Sequence, residues 1–112
     1  MTKAGIGLAV GVAFFLGTQL ALAQQGDAKA GKAIYDKQCA TCHSADGTPK
    51  EAIAKMLKAE IPHLGSKEIQ DKSDAEIGKV VTEGYEKMKP VKTVTAKDLP
   101  NVVAFVRTLK KP

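Results

Sequence analysis

Beyond residue 26, apolar positions recur with the spacing of α-helices, and no segment shows the sustained alternation of a strand. In the first helical stretch Asp27 is the predicted N-cap. The positions on one face then follow at i, i+3, i+4 and i+7, and they are Gly31, Ile34, Tyr35 and Gln38. Glycine inside a helix costs stability relative to alanine. Gly31 is therefore expected to allow the close approach of another helix.

Capping and helix-breaking residues mark the middle of the chain. The run from Thr48 to Glu51 combines an N-cap, a proline at the first helical position and a capping-box glutamate, which predicts a second helix through Ala59. Pro62 cannot continue a helix, so the chain is expected to turn there. Residues 66 to 71 are predicted to form a short helical turn.

A second capping box, Ser73 with Glu76, predicts a helix that ends at Gly84. The last helix is predicted over residues 96 to 110, and its apolar face consists of Leu99, Val102, Val103, Val106 and Leu109. Pro100 falls inside this helix if Thr95 is the cap, and in the first turn if Asp98 is the cap. Together these patterns predict an all-α fold of about four short helices.

Residues 1–23 have the features of a secretory signal peptide. Lys3 provides a short positive region, residues 5 to 20 are apolar, and the run from Ala21 to Ala23 is an A-x-A cleavage site. We expect cleavage after Ala23, which would leave residues 24–112 as one small exported domain in the periplasm or an equivalent compartment. A retained membrane anchor is the alternative. The apolar run is short for a span, however, and no basic flank follows it.

The five residues from Cys39 to His43 form a Cys-x-x-Cys-His motif, which is typical of c-type haem attachment. In that chemistry the two thiols form thioethers with one haem c, and the adjacent imidazole ligates the iron. Two intervening residues let one helical turn present both sulfurs to one porphyrin edge. A structural disulfide and a redox-active cysteine pair are the alternatives, and the second would require a βαβ pattern that the sequence lacks.

Composition agrees with a prosthetic group in the core. A domain of fewer than 100 residues buries a marginal apolar core, and after residue 23 the aromatic side chains are Tyr35, Tyr85 and Phe105. A covalently held porphyrin would supply the missing apolar centre. The 17 Lys and Arg modestly outnumber the 12 Asp and Glu. Because no long basic block is present, we expect no nucleic-acid binding. We also expect no stable membrane insertion once the signal peptide has been cleaved.

Three side chains could ligate the second face of the iron. Met56 lies at helical spacing with Ile53 and Leu57, which favours a packing role. His63 lies in the loop of Pro62, which follows the proximal ligand His43 closely along the chain. Met88 lies in a loop, where it has no role in packing a helix. From there it could reach the opposite face of the haem. His/Met ligation would then raise the reduction potential.

The chain resembles the small class I c-type cytochromes, which are exported monohaem electron carriers. The stretches that carry the resemblance are Gly26 to Tyr35, Cys39 to His43, Met88 to Pro90 and Leu99 to Val106. The resemblance implies that the terminal helices cross at a glycine, an aromatic and an apolar pair, and the residues that fit these roles are Gly31, Tyr35, Val102 and Phe105. It also implies that the carbonyl of Pro62 accepts a hydrogen bond from the ring of His43 and fixes its tautomer.

The sequence departs from the family pattern at three points. There is no Trp to bind a haem propionate, Lys89 stands between Met88 and Pro90, and Pro100 interrupts the last helix.

The expected function is outer-sphere transfer of one electron by a monomer, with no bond of a substrate broken and no enzymatic role. Exposed lysines around the predicted ligand loop, Lys87, Lys89 and Lys92, would attract an acidic redox partner, or would serve only as a solubilising surface. One rival is a haem enzyme or sensor whose sixth position is open or displaceable. Another is a thiol-disulfide oxidoreductase that uses Cys39 and Cys42.

Overall fold

The computed structural model describes residues 26–112, together with the isolated positions 2, 5, 7 and 11. The predicted signal peptide and its cleavage site lie outside the described residues, apart from those isolated positions. Six α-helices follow one another in the described part: α1 (Ala28–Gln38), α2 (Ala40–His43), α3 (Glu51–Leu57), α4 (Lys67–Gln70), α5 (Asp74–Glu83) and α6 (Leu99–Thr108). Because α2 and α4 are single turns, four longer helices remain, and the predicted all-α class is confirmed.

The crossing of α1 and α6 organises the domain. Helix α1 begins at Asp27, whose carboxylate accepts hydrogen bonds from the backbone N–H groups of Lys29 (2.9 Å) and Ala30 (3.3 Å). A Cβ added at Gly31 would lie 1.8 Å from the carbonyl oxygen of Asn101 in α6. No real side chain fits that space, so the two backbones touch at Gly31. The predicted close approach is confirmed.

Aromatic stacking and aliphatic packing extend this crossing into the core. The rings of Tyr35 and Phe105 lie with their centroids 4.8 Å apart and are tilted by 55°, an arrangement that aromatic pairs favour. Tyr35 and Val102 are fully buried. Behind them, Val102 packs with Val81 of α5 and with Val94, so α5 joins the same core.

Helix α3 begins later than predicted, and α6 follows the alternative in which Asp98 is the cap. Thr48 does not cap α3, because its hydroxyl lies 3.2 Å from the Nε2 atom of His63, and the helix begins at Glu51 after Lys50. It ends at Leu57, where Lys58 adopts a left-handed conformation with φ 51°. The regular part of α6 begins only at Leu99, which places Pro100 in the first turn, where proline is tolerated.

The predicted capping box of α5 is present in full. The Ser73 hydroxyl accepts from the N–H of Glu76 (3.1 Å), and the Glu76 carboxylate accepts from the N–H of Ser73 (2.7 Å). These bonds hold the pKa of Glu76 below its usual range, with the Ser73 backbone N–H as the main cause. The helix ends at Gly84, which has φ 80°.

Side chains tie the loop between α3 and α5 to α6. The amide nitrogen of Gln70 donates to the carbonyls of Leu64 (2.9 Å) and Val106 (3.0 Å). The guanidinium of Arg107 donates to the carbonyl of Gln70 (2.8 Å) and pairs with the carboxylate of Asp74 (2.7 Å). The loop after Pro62 is thus held against the C-terminal helix. Among the described residues, no helix combines the length and hydropathy needed to cross a membrane.

We expect Gly31→Ala to destabilise the protein strongly. The new methyl group would collide with the backbone of Asn101, which cannot rotate away, and overpacking of this kind costs about 1–3 kcal/mol or more. Gly78→Ala is the matched control, because its Cβ would meet the flexible side chain of Leu99 at 3.1 Å. Denaturant unfolding should show a far smaller loss for the control. Equal losses would contradict the close approach.

The Glu76 cap should stabilise the protein in a pH-dependent manner. Since the pKa of Glu76 is lower in the folded state than in the unfolded state, the unfolded state binds the proton more readily as the pH falls. The stabilisation is therefore complete above the unfolded pKa and is lost as the pH falls through the folded pKa. Unfolding should show that Glu76→Ala lowers stability at pH 7 and makes little difference in strong acid. A loss of equal size at both pH values would argue against the ionised cap.

Candidate haem-attachment site

The cysteine motif follows α1 directly and forms a single helical turn. The N–H of Cys39 donates to the carbonyl of Tyr35 (2.9 Å) and so continues the end of α1. The N–H groups of Cys42 (3.2 Å) and His43 (3.0 Å) then donate to the carbonyl of Cys39. The predicted placement of both thiols and the imidazole on one turn is therefore present.

Both thiols are free and partly buried. Burial raises the pKa of the Cys39 thiol to about 11, and the neighbouring Cys42 adds to this effect. Redox-active cysteine pairs depend on a thiol whose pKa is lowered. The environment of Cys39 thus argues against the oxidoreductase interpretation.

The imidazole of His43 is held in its neutral form. Burial lowers the pKa of His43, because the charged form loses its hydration. Neutral imidazole is the form that ligates metals. The Nδ1 atom of His43 is buried and has no hydrogen-bond partner among the described residues. The bond to the carbonyl of Pro62 is thus not formed here, and it stays a prediction.

These residues fit a covalent haem. Two free thiols lie one helical turn apart beside a neutral imidazole, which is the donor set that c-type attachment requires. A ligating histidine normally donates its second ring nitrogen to a protein acceptor. The Nδ1 atom of His43, which has no partner among the described residues, is the atom that would make this second hydrogen bond in a haem site.

Tyr35 contributes a contact that the sequence analysis missed. Its hydroxyl donates to the carbonyl of Ser44 (2.6 Å) and to that of His43 (3.1 Å), at the end of the turn that carries the motif. The sequence analysis assigned this side chain to helix packing alone. A signal was available, since a buried tyrosine hydroxyl needs a partner and Tyr35 lies one helical turn before Cys39.

The candidates for the second iron ligand have different surroundings. Both ring nitrogens of His63 are used by the protein: Nδ1 accepts from the N–H of Gly65 (2.9 Å), and Nε2 lies 3.2 Å from the Thr48 hydroxyl. Met56 lies on α3 and is 70% exposed, so its expected packing role is wrong.

Met88 closes a tight turn after α5. Tyr85 and Met88 exchange two backbone hydrogen bonds of 2.9 Å each, and Glu86 between them has φ 50°. The side chain of Met88 is partly buried. Further along, the N–H of Val91 donates to the carbonyl of Val81 (2.8 Å), which fastens the loop to α5. Met88 therefore has a defined backbone position outside any helix.

The crossing of the terminal helices and the Cys39 to His43 turn together define a small monohaem c-type cytochrome. Residues 26–106 match the family described as cytochrome c oxidase, cbb3-type, subunit III. The chain is also similar to a solved structure, the KustC0563 c-type cytochrome, with 32% sequence identity and a TM-score of 0.62. That similarity covers 72% of this chain and 98% of the other. No curated protein matches the chain significantly.

The chain therefore belongs to this family of cytochrome c domains. Membership implies one covalently bound haem c with its iron, and Cys39 and Cys42 fit the two points of attachment. Haem-based electron transfer follows as the general function, and redox proteins follow as the general class of partner.

Proposed function

We propose that the protein is a soluble electron carrier whose haem iron is ligated by His43 and Met88. The observation that carries this proposal is the single helical turn that holds the half-buried imidazole of His43 beside two free thiols. When bound, the haem supplies one electron reversibly. His43 supports this as a neutral donor whose position is set by the end of α1.

Met88 is the proposed sixth ligand because the alternatives are less suitable. His63 already uses both ring nitrogens in the protein. The backbone of Met88 is held by two hydrogen bonds to Tyr85, so little backbone freedom would be lost on ligation. Two protein ligands would leave no position for a substrate, which favours a carrier over an enzyme or a gas sensor.

The site of action is proposed to be the periplasm or an equivalent exported compartment. The support is the leader pattern of residues 1–23 and the thioether chemistry of Cys39 and Cys42, which occurs outside the cytoplasm.

The family description supports a second candidate, in which the same haem feeds electrons to other subunits of a terminal oxidase. The redox chemistry at the iron would be identical in both cases. The two functions differ in whether the chain has a permanent partner. Size-exclusion chromatography of the protein from its natural source separates them, since a carrier elutes alone and a subunit elutes with its complex.

Optical spectra of the haem-loaded protein test the ligand set. We expect low-spin spectra in both oxidation states and a weak ferric far-red band from methionine sulfur. Met88→Ala should abolish that band and lower the reduction potential, because a sulfur ligand favours ferrous iron. Met56→Ala is the matched control and should change neither.

Met56 would be assigned as the sixth ligand if Met56→Ala removed the far-red band and Met88→Ala retained it. A high-spin wild-type spectrum that shifts readily with peroxide or carbon monoxide would instead support the enzyme or sensor.

The ligand loop is also the proposed docking surface for an acidic redox partner. Lys87, Lys89 and Lys92 are exposed on it. Replacing all three with Glu should slow oxidation of the ferrous protein by the anion ferricyanide severalfold at about 10 mM salt, where exposed charges act over about 30 Å. The control reverses three exposed lysines elsewhere, Lys29, Lys37 and Lys110. Equal slowing in both variants would show an effect of net charge alone and would contradict a local docking surface.

A further inference from the structure

The turn that carries His43 ends in a strained residue. Ser44 has φ 53° and ψ 171°, a region of backbone conformation that glycine occupies readily and other residues rarely adopt. The last carbonyls of a helix also lack partners within the helix. The backbone just after the proposed iron ligand therefore needs an external contact to hold it.

Tyr35 provides that contact from α1. Its hydroxyl donates to the carbonyls of Ser44 (2.6 Å) and His43 (3.1 Å). The side chain is fully buried, and its ring is packed against Phe105 at the helix crossing.

The Tyr35 hydroxyl binds carbonyls on the C-terminal side of the turn, whereas backbone groups hold the N-terminal side. On the N-terminal side, the N–H groups of His43 and Ser44 are held by the carbonyls of Cys39 and Ala40, each at 3.0 Å. The carbonyl of Cys42 on this turn accepts a hydrogen bond from the N–H of Lys50 (3.0 Å). For the carbonyls of His43 and Ser44, Tyr35 is the hydrogen-bond donor.

We propose that the Tyr35 hydroxyl is a positioning group for His43, which sets the direction of its imidazole by clamping the backbone on the C-terminal side. This rests on the proposed function only in that His43 ligates the iron. Packing against Phe105 requires the aromatic ring alone, so the hydroxyl has a separate role.

Tyr35→Phe in the haem-loaded protein isolates the hydroxyl, since the ring and its packing remain. We expect amide hydrogen exchange at His43 and Ser44 to become about fivefold faster, the change that loss of one ordinary hydrogen bond produces. The proton NMR shifts of the His43 ring and the reduction potential should also change.

Phe105→Leu is the matched control, because it weakens the same ring packing and leaves the hydroxyl in place. It should lower stability without altering exchange at His43 and Ser44, the ring shifts or the potential. If both variants changed these three readouts equally, Tyr35 would be a packing residue and the proposal would fail.

Two failures can be told apart. Unchanged exchange in Tyr35→Phe, with a low-spin spectrum retained, would overturn the clamp and leave the carrier function intact. A wild-type spectrum without histidine ligation would overturn the carrier function, while the exchange rates still reported on the clamp. If Tyr35→Phe does not accumulate, the double variant with Ser44→Gly relieves the backbone strain. Recovery of the double variant alone supports the clamp, and failure of both contradicts it.

Discussion

The contact of two helix backbones at Gly31 is the constraint on which the rest of this domain depends. A side chain at that position would overlap the carbonyl of Asn101, so α1 and α6 can meet only because the residue is glycine. The close approach brings the ring of Tyr35 against Phe105 and buries Val102. A small domain has few apolar side chains to spare. It therefore gains much of its stability from this one crossing.

The haem-attachment site is built directly on that crossing. Helix α1 ends where Cys39 begins the motif, and the hydroxyl of Tyr35 reaches past the helix end to the carbonyls of His43 and Ser44. A single tyrosine thus belongs both to the packing of the terminal helices and to the surroundings of the proposed iron ligand.

The loops that carry Pro62 and the proposed ligand Met88 are held by a different set of bonds. Gln70 and Arg107 fasten the loop after Pro62 to α6, and the Met88 turn is closed by its own backbone bonds. Lys87, Lys89 and Lys92, which flank Met88 in this loop, are exposed.

Local patterns in the sequence were sufficient to predict the all-α class, the glycine contact, the capping box of α5 and the cysteine motif. Each rests on a few neighbouring residues, because caps, helical faces and attachment motifs are set within one or two turns. The tertiary structure decided what depends on distant partners. Thr48 bonds His63 and does not cap α3, Met56 is exposed, and the hydroxyl of Tyr35 binds the turn of His43. The need of the buried Tyr35 hydroxyl for a partner could be predicted locally, but the identity of each partner could not, since a side chain chooses among hydrogen-bond partners only after the fold has brought them together.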